Sequence, residues 1–176
     1  MNNTKEERRL KTLSDNVILL LNEQISHELH NHNVYKTFSN YYKFNGLYKL
    51  EKYYDERAEE ELVHQRWIID RLNQCDCPIS YLPVKEVEYE LSDDLSAPFK
   101  FTVDLEIETT LLINNIVKVA QEECDYQTVI WLLETLVKEQ HEEEFLSREA
   151  LKLACVDTDW LTKQEEITDF YKSKEI

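Results

Sequence analysis

The sequence has very few of the residues that end helices and form turns. Its 176 residues include one Gly and three Pro, while Leu, Glu and Lys are abundant. Chains of this composition form long helices joined by few turns. The length suits one domain built around a single core. We therefore expect an all-α protein that forms a single domain over residues 1–176.

Long apolar runs and an excess of basic residues are also missing. No stretch approaches the ~20 apolar residues of a membrane span, and residues 1–11 lack the apolar core of a secretory signal. The 36 acidic residues outnumber the 20 basic ones, so the formal net charge is -16. Such a surface repels nucleic acid and anionic membranes and attracts cations. We expect a cytoplasmic protein with no nucleic-acid or membrane partner.

The apolar pattern predicts four long helices and a short fifth one. They should cover about 14–42, 47–73, 99–123, 126–154 and 160–171. Short turns make the first two helices antiparallel, and likewise the third and fourth. All three prolines lie between residues 73 and 98, and so long a connection is explained if the second and third helices are parallel. The prediction is an up-down-down-up four-helix bundle over 14–154, with an N-terminal arm (1–13) and a fifth helix within 157–172.

Four segments carry further expectations. The alternation over 84–91 predicts a short extended segment, which could pair with another subunit. The third helix is apolar almost all round, so it should be buried on several sides. The fifth helix would expose aromatic residues, which indicates a subunit contact. His27, His30 and His32 could relay metal inward, but the simpler interpretation is a polar helix face with no role.

One acidic residue interrupts the apolar stripe of each long helix. Each acid lies seven residues from an apolar residue on either side, in the sets Leu21–Glu28–Tyr35, Tyr54–Glu61–Ile68, Phe99–Glu106–Ile113 and Leu136–Glu143–Ala150. Residues at heptad spacing lie on one side of a helix, so four carboxylates should enter one core. Ionised carboxylates persist in a low-dielectric core only if a cation compensates them. The pattern predicts metal in the middle of the bundle.

Two further side chains complete the predicted centre. His64 follows Glu61 by three residues and Gln140 precedes Glu143 by three, so each lies one helical turn from its acid. Carboxylates with one imidazole suit iron or manganese better than zinc or copper(I). Tyr35 is either a core tyrosine or a residue that hydrogen-bonds a ligand or donates an electron.

The acid-containing segments resemble the signature segments of bacterial non-haem ferritins. The segments are 21–29, 58–64 and 139–144, and the resemblance covers nearly the whole chain from Ser14 on. It implies a dinuclear ferroxidase centre with Tyr35 and Gln140 beside it. One iron would bind to Glu28, Glu61 and His64, and the other to Glu61, Glu106 and Glu143. A third iron site is implied at Glu60, Glu139, Glu142 and Glu143.

The resemblance also implies an activity and an assembly. A homo-oligomeric cage of twenty-four subunits would oxidise Fe(II) with O2 or hydrogen peroxide and store Fe(III) oxide inside. Haem is not expected, because bacterioferritin binds it through a Met and the only Met here is Met1. One alternative is a diiron oxidoreductase that removes peroxide or inserts oxygen without storing mineral. Another is a metal-free helical scaffold, which would leave four core carboxylates without a cation.

Overall fold

The computed structural model describes residues 12–89 and 92–173. It contains helices only, and no strand is formed among those residues. The helices are α1 (Asp15–Phe44), α2 (Tyr48–Gln74), α3 (Ala97–Glu122), α4 (Tyr126–Glu134), α5 (Leu136–Ala154) and α6 (Trp160–Lys172). α1 packs mainly on α2, and α3 packs on α4 and α5. The all-α bundle with a short C-terminal helix is confirmed. The division into arm, bundle and fifth helix stays a prediction, and residues 1–11 of the arm lie outside the described residues.

Local sequence signals set the ends of several helices. The Ser14 side chain accepts a hydrogen bond from the Val17 amide (3.2 Å) and begins α1. Gly46 has a φ of 73° in the turn between α1 and α2, a conformation that costs glycine little. The Asp159 side chain accepts from the amides of Leu161 and Thr162, each at 3.0 Å, and begins α6. Side-chain acceptors of this kind satisfy amides that have no partner within the helix.

The fourth predicted helix is interrupted at Thr135, which the sequence analysis missed. Thr135 has φ -118° and ψ -99°, and it separates α4 from α5. Its hydroxyl donates to the carbonyl of Trp131 (2.6 Å), four residues earlier. Hydroxyl groups that bond back to this carbonyl bend helices. The bend lies one residue before Leu136, the start of the segment that carries Gln140 and Glu143.

The crossover between α2 and α3 is anchored by side chains of α1. Ser26 donates to the Leu82 carbonyl (3.2 Å), and the hydroxyls of Tyr41 and Tyr42 donate to the carbonyls of Ser92 and Leu95, both at 2.7 Å. The described part of the alternating segment, 84–89, forms no strand. Side chains of α1, rather than a neighbouring strand, therefore satisfy these three crossover carbonyls.

Two apolar clusters fill the bundle, one toward each end. The aromatic cluster includes Tyr35, Phe38, Tyr42, Tyr53, Tyr54 and Phe99. The aliphatic cluster includes Val17, Leu21, Ile25, Ile68, Leu72, Ile113 and Ile116. In α1, α2 and α3, the acids of the predicted centre fall between the residues of the two clusters. A layer of charged side chains thus crosses an otherwise apolar core.

Two predicted exposures differ from the structure. α3 is buried on fewer sides than its composition indicated, since Leu111 is 64% exposed and Leu112 is 38% exposed. The short helix α6 packs against α2 and α5, so Ile167 and Tyr171 are buried rather than exposed. Within the described residues, no helix has both the length and the apolar character needed to cross a membrane.

Candidate metal centre

The four predicted acids all lie in the core. Their relative exposures are 1% for Glu28, 1% for Glu61, 0% for Glu106 and 8% for Glu143. The eight residues that flank them at heptad spacing are buried as well, so the spacing placed each acid on the inner side of its helix. Carboxylates are almost never buried this deeply unless they are paired or bind a metal ion.

Glu28, Glu61 and His64 form what we call the first half of the centre. Each offers one ligand atom, and the three atoms lie within 4.8 Å of one another; no other three His, Cys, Asp or Glu side chains of the described chain come so close. Gln24 donates to Glu28 Oε1 (2.9 Å). No amide or hydroxyl group donates to Glu28 Oε2, although it is buried. A divalent cation would supply the interaction that this oxygen lacks.

Glu106, Gln140 and Glu143 form the second half. The hydroxyl of Tyr35 and the guanidinium of Arg57 both donate to Glu106 Oε1. Gln140 Nε2 donates to Glu106 Oε2 at 2.6 Å and to the Glu106 carbonyl at 3.2 Å. Both carboxylate oxygens of Glu106 are therefore engaged by protein donors. Glu143 lies toward the first half, with its Oε2 4.0 Å from His64 Nδ1.

Arg57 is the functional residue that the sequence analysis missed. Its side chain is completely buried against Glu106, and its guanidinium carbon lies 5.1 Å from the centre of the Tyr35 ring. The signal was present in the sequence, because Leu50, Arg57 and His64 follow the same heptad spacing as the acids. An arginine cannot bind a metal ion, so the pattern of possible metal ligands did not include it.

Burial and mutual repulsion shift the titration of the carboxyls. Burial, followed by the charge of Glu106, raises the pKa of Glu61 to about 8. Burial also raises the pKa of Glu28 well above its usual value, and the charge of Glu61 adds to this shift. For Glu143, burial raises the pKa and the charge of His64 opposes the rise. Shifts of this kind result from bringing like charges together in a site of low dielectric constant.

The pKa of His64 is raised, although burial alone would lower it. Burial lowers the pKa of His64, but the charges of Glu143 and Glu28 outweigh this effect and raise it. In the metal-free protein, protons on these groups partly replace a bound cation. Metal binding must therefore release protons.

The residues that the resemblance assigns to a third iron site are not gathered into one group. Glu60 is half-buried, and both of its carboxylate oxygens lie 2.8 Å from the Tyr171 hydroxyl, which donates one hydrogen bond shared between them. Glu139 is half-buried and Glu142 is exposed. Tyr171 thus connects the C-terminal helix to an acid that adjoins the centre.

The three histidines of α1 are not on a polar face, contrary to our interpretation. His27 Nε2 lies 2.8 Å from Thr109 Oγ1, His30 Nδ1 lies 3.0 Å from the Lys85 carbonyl, and His32 Nδ1 lies 2.8 Å from the Ala58 carbonyl. Burial lowers the pKa of His27 to about 4. These contacts join α1 to α3, to the crossover and to α2, so all three histidines have structural contacts.

The donor set fits a hard, multiply charged cation. It provides carboxylate oxygens from four helices, one imidazole and a buried oxygen without a donor. Iron and manganese prefer such ligands, and helical bundles are known to hold pairs of these ions between carboxylates of facing helices. The first half offers a site that is ready for a cation, and the second half would have to rearrange its hydrogen bonds.

Comparisons with known proteins agree with this geometry. A family model described as a ferritin-like domain matches residues 18–154. The chain is 35% identical over 136 residues to a bacterial non-heme ferritin of Campylobacter jejuni, which covers 77% of this chain and 80% of the relative. It is 33% identical to a probable bacterial non-heme ferritin-like protein of Haemophilus influenzae, over 76% of this chain and 80% of the relative.

A solved structure shows the same fold. An open pore ferritin from the hyperthermophilic archaeon Archaeoglobus fulgidus superposes with a TM-score of 0.81 at 26% identity. The match covers 89% of this chain and 98% of that one. The chain therefore belongs to the ferritin-like family and is a homologue of the bacterial non-haem ferritins.

Proposed function

We propose that this protein is an iron-storage ferritin with ferroxidase activity. It would oxidise Fe(II) at the buried carboxylate centre and deposit Fe(III) oxide inside a homo-oligomeric cage of twenty-four subunits. The observation that carries the proposal is the meeting of four buried acids, one from each long helix of the bundle, beside His64. The names of the relatives support the same activity.

The residues of the centre would have distinct roles. Glu28, Glu61 and His64 would bind one Fe(II), and Glu61, Glu106 and Glu143 the other, with Glu61 shared between them. Gln140 and Tyr35 would orient Glu106 through their hydrogen bonds. Anionic oxygen ligands stabilise Fe(III) more than Fe(II), because the attraction grows with the charge of the ion. The centre would therefore favour loss of an electron from each bound ion.

The electrons and protons of this reaction balance without a further cofactor. Two Fe(II) ions give two electrons to O2, which takes up two protons and becomes hydrogen peroxide. Hydrogen peroxide can accept two more electrons from a second pair of Fe(II) ions and, with two protons, form water. Glu60, Glu139, Glu142 and Glu143 would form the third iron site, at which Tyr171 holds Glu60 before metal binds.

Exposed apolar residues support assembly. Leu19, Leu111, Tyr126, Ile130 and Leu161 are each more than half exposed on the single chain. Exposed apolar surface of this kind is typical of surfaces that another protein covers. A cage, located in the cytoplasm, would bury it. The alternative, an oxidoreductase that stores no mineral, uses the same centre and is not favoured by the ferritin relatives.

The proposal is tested by anaerobic loading with Fe(II) followed by mixing with O2. Glu61→Gln should abolish the fast phase of oxidation that the wild type shows. Glu59→Gln is the matched control, since Glu59 lies in the same acidic run but its side chain is 61% exposed. The mass of the particle and its iron content are measured on the same samples.

Each outcome decides between the candidate functions. A large particle that retains Fe(III) oxide, with fast oxidation lost only in Glu61→Gln, supports a ferritin. Fast oxidation by a small particle without mineral supports the oxidoreductase. Equal slow oxidation in wild type and Glu61→Gln rules out the proposed centre.

A further inference from the structure

A buried cation already occupies part of the centre. Arg57 reaches Glu106 from α2, and its side chain is fully buried. An arginine remains protonated at any pH that a protein experiences, so this positive charge is permanent. Among the residues proposed to bind iron, Glu106 is the one that forms an ion pair with an arginine or lysine in the described structure. The arginine and a second metal ion would therefore bind to the same carboxylate.

We propose that Arg57 competes with the second metal ion for Glu106, so that the first half of each centre binds a divalent ion tightly and the second half binds one weakly. This inference rests on the proposed function, since it assumes that both halves receive metal. It makes Arg57 a positioning residue, which acts on metal through Glu106. The first half would load first and the second half only when Fe(II) is abundant.

The hydrogen bonds of Glu106 support the competition. Arg57 and Tyr35 donate to Oε1, and Gln140 donates to Oε2. Three of the carboxylate's roughly four lone-pair positions are therefore taken, so a metal ion that binds through Oε1, or through both oxygens, must displace at least one of these donors. Charge-assisted bonds between guanidinium and carboxylate are the strongest of this kind. In the first half, by contrast, Glu28 Oε2 accepts from no amide or hydroxyl, so a cation can bind this oxygen while Gln24 keeps its hydrogen bond to Oε1.

In the described structure, Glu106 is the only carboxylate within ion-pair distance of the guanidinium, and the other acceptor of Nη2 is the neutral hydroxyl of Tyr35 at 3.4 Å. Two of the guanidinium nitrogens, Nε and Nη1, donate no hydrogen bond of good geometry even while Nη2 is bound to Glu106. Separation from Glu106 would leave a buried cation without its carboxylate, which is strongly unfavourable. A second metal ion must overcome this cost before it gains its own ligands.

The charges of the centre lead to the same order of binding. With His64 neutral and all four acids ionised, the acids and Arg57 together carry a net charge of -3. One divalent ion would bring this to about -1, and a second to about +1. Without Arg57 the corresponding charges would be about -2 and zero. Without the arginine, the second ion would bring the centre to neutrality. With the arginine, the second ion gives the centre a net positive charge, which disfavours its binding.

The test is a calorimetric titration of the metal-free, assembled protein with Zn(II), which cannot be oxidised, and with Fe(II) under anaerobic conditions. The wild type should bind one ion per subunit at least about tenfold more tightly than the second. In Arg57→Gln, the second affinity should rise and the ratio should fall below about threefold. Arg57→Lys keeps the charge and should keep the two affinities unequal.

The matched control is Arg71→Gln. Arg71 also lies on α2, is half-buried and donates to Thr128 (3.0 Å), which is outside the centre. This variant should keep the wild-type ratio of affinities. Should Arg57→Gln not fold without metal, it is assembled in the presence of Zn(II), which replaces the missing cation. After gel filtration it should then retain two Zn(II) per subunit where the wild type retains one.

Two results would overturn the proposal. One is a wild type that binds two ions per subunit with equal affinity. The other is an Arg57→Gln variant with the wild-type ratio or the wild-type Zn(II) content. Either result combined with fast oxidation of Fe(II) by the wild type removes only the role of Arg57. A wild type that binds neither ion and oxidises Fe(II) no faster than Glu61→Gln removes the proposed function itself.

Discussion

The two halves of the centre keep buried carboxylates by different means. In the first half, Glu28 and Glu61 lie together with His64, repel each other and bind protons at unusually high pH. In the second half, Glu106 is held by Arg57, Tyr35 and Gln140. Without a metal ion, the first half thus depends on bound protons to offset its negative charge, whereas in the second half Arg57 offsets the charge of Glu106. This difference predicts opposite responses to substitution.

The largest loss of stability should follow substitution of Arg57, the cation of the second half. Arg57→Gln leaves Glu106 buried without its counter-charge, and breaking a buried ion pair in this way costs about 3–5 kcal/mol of stability. The metal-free variant should therefore melt well below the wild type at equal protein concentration. Arg71→Gln, which loses a hydrogen bond to a hydroxyl, should cost about 1 kcal/mol. Equal losses in the two variants would contradict the role given to Arg57.

In the first half, by contrast, removal of an ionisable group should stabilise the metal-free protein. Burial and the charge of Glu61 raise the pKa of Glu28 well above its usual value, so ionisation of Glu28 costs the metal-free wild type stability as pH rises. Glu28→Gln cannot ionise and keeps an oxygen that can accept from Gln24, so the metal-free variant should be more stable than the wild type, by an amount that increases with pH. The same variant should lose the stabilisation that Zn(II) gives the wild type, which is about 2.7 kcal/mol at one hundred times the dissociation constant. Thermal melting with and without Zn(II) measures both effects. The exposed Glu23 of α1 supplies the control, Glu23→Gln, which should resemble the wild type.

The pH dependence separates the metal-free and metal-bound forms. Because the pKa of Glu61 is about 8 in the folded chain against an ordinary value of 4.5, the folded state binds more protons than the unfolded state between these values. Stability of the metal-free protein from this group therefore falls as pH rises from about 5 to 8, by at most about 1.4 kcal/mol per pH unit. Zn(II) affinity should rise over the same range, because the ligands must lose protons.

The pH prediction is checked by melting wild type and Glu61→Gln from pH 5 to 8. Groups that Glu61 does not influence, including His27, titrate equally in both proteins. The difference between the two curves therefore reports Glu61 together with the neighbours whose pKa its charge shifts, such as Glu28. The wild type should lose stability relative to the variant as pH rises. A difference that does not change with pH would show that Glu61 is not held in a repulsive site.

The smallest effect should come from Tyr35. Tyr35→Phe removes the hydroxyl that donates to Glu106 but leaves Arg57 and Gln140 in place. The expected loss is about 1 kcal/mol, the usual net value of one hydrogen bond. The first Zn(II) affinity should not change, because Tyr35 makes no hydrogen bond to Glu28, Glu61 or His64 in the described structure. A weakened first site would show that the two halves are more strongly coupled.

The sequence was sufficient for most of the fold because the relevant signals are periodic and local. Heptad spacing placed Glu28, Glu61, Glu106 and Glu143 in the core, and this burial is what the structure shows. The prolines of residues 73–98 located the crossover. The bend at Thr135 was missed because a threonine hydroxyl can bond to its own helix in many contexts without bending it.

The contacts of the site depended on tertiary structure. The sequence alone indicated that His27 and His30 lie on a polar face of α1. In the structure, α3 contacts His27 and the crossover contacts His30. Tyr171 lies 111 residues from Glu60 in the sequence, and no local pattern predicts that hydrogen bond. Arg57 was detectable by spacing, but its pairing with Glu106 depends on how α2 and α3 meet. The assignment of residues to each metal position remains a prediction.

The most direct test is anomalous diffraction from crystals equilibrated with Zn(II), added in steps from less than one ion per subunit to an excess. The account predicts a first anomalous peak bounded by Glu28, Glu61 and His64, and a second peak beside Glu106 that appears only in excess Zn(II). Peaks confined to surface acids, with none in the bundle, would contradict the proposed centre. Equal occupancy of both positions at every step would contradict the competition between Arg57 and the second ion.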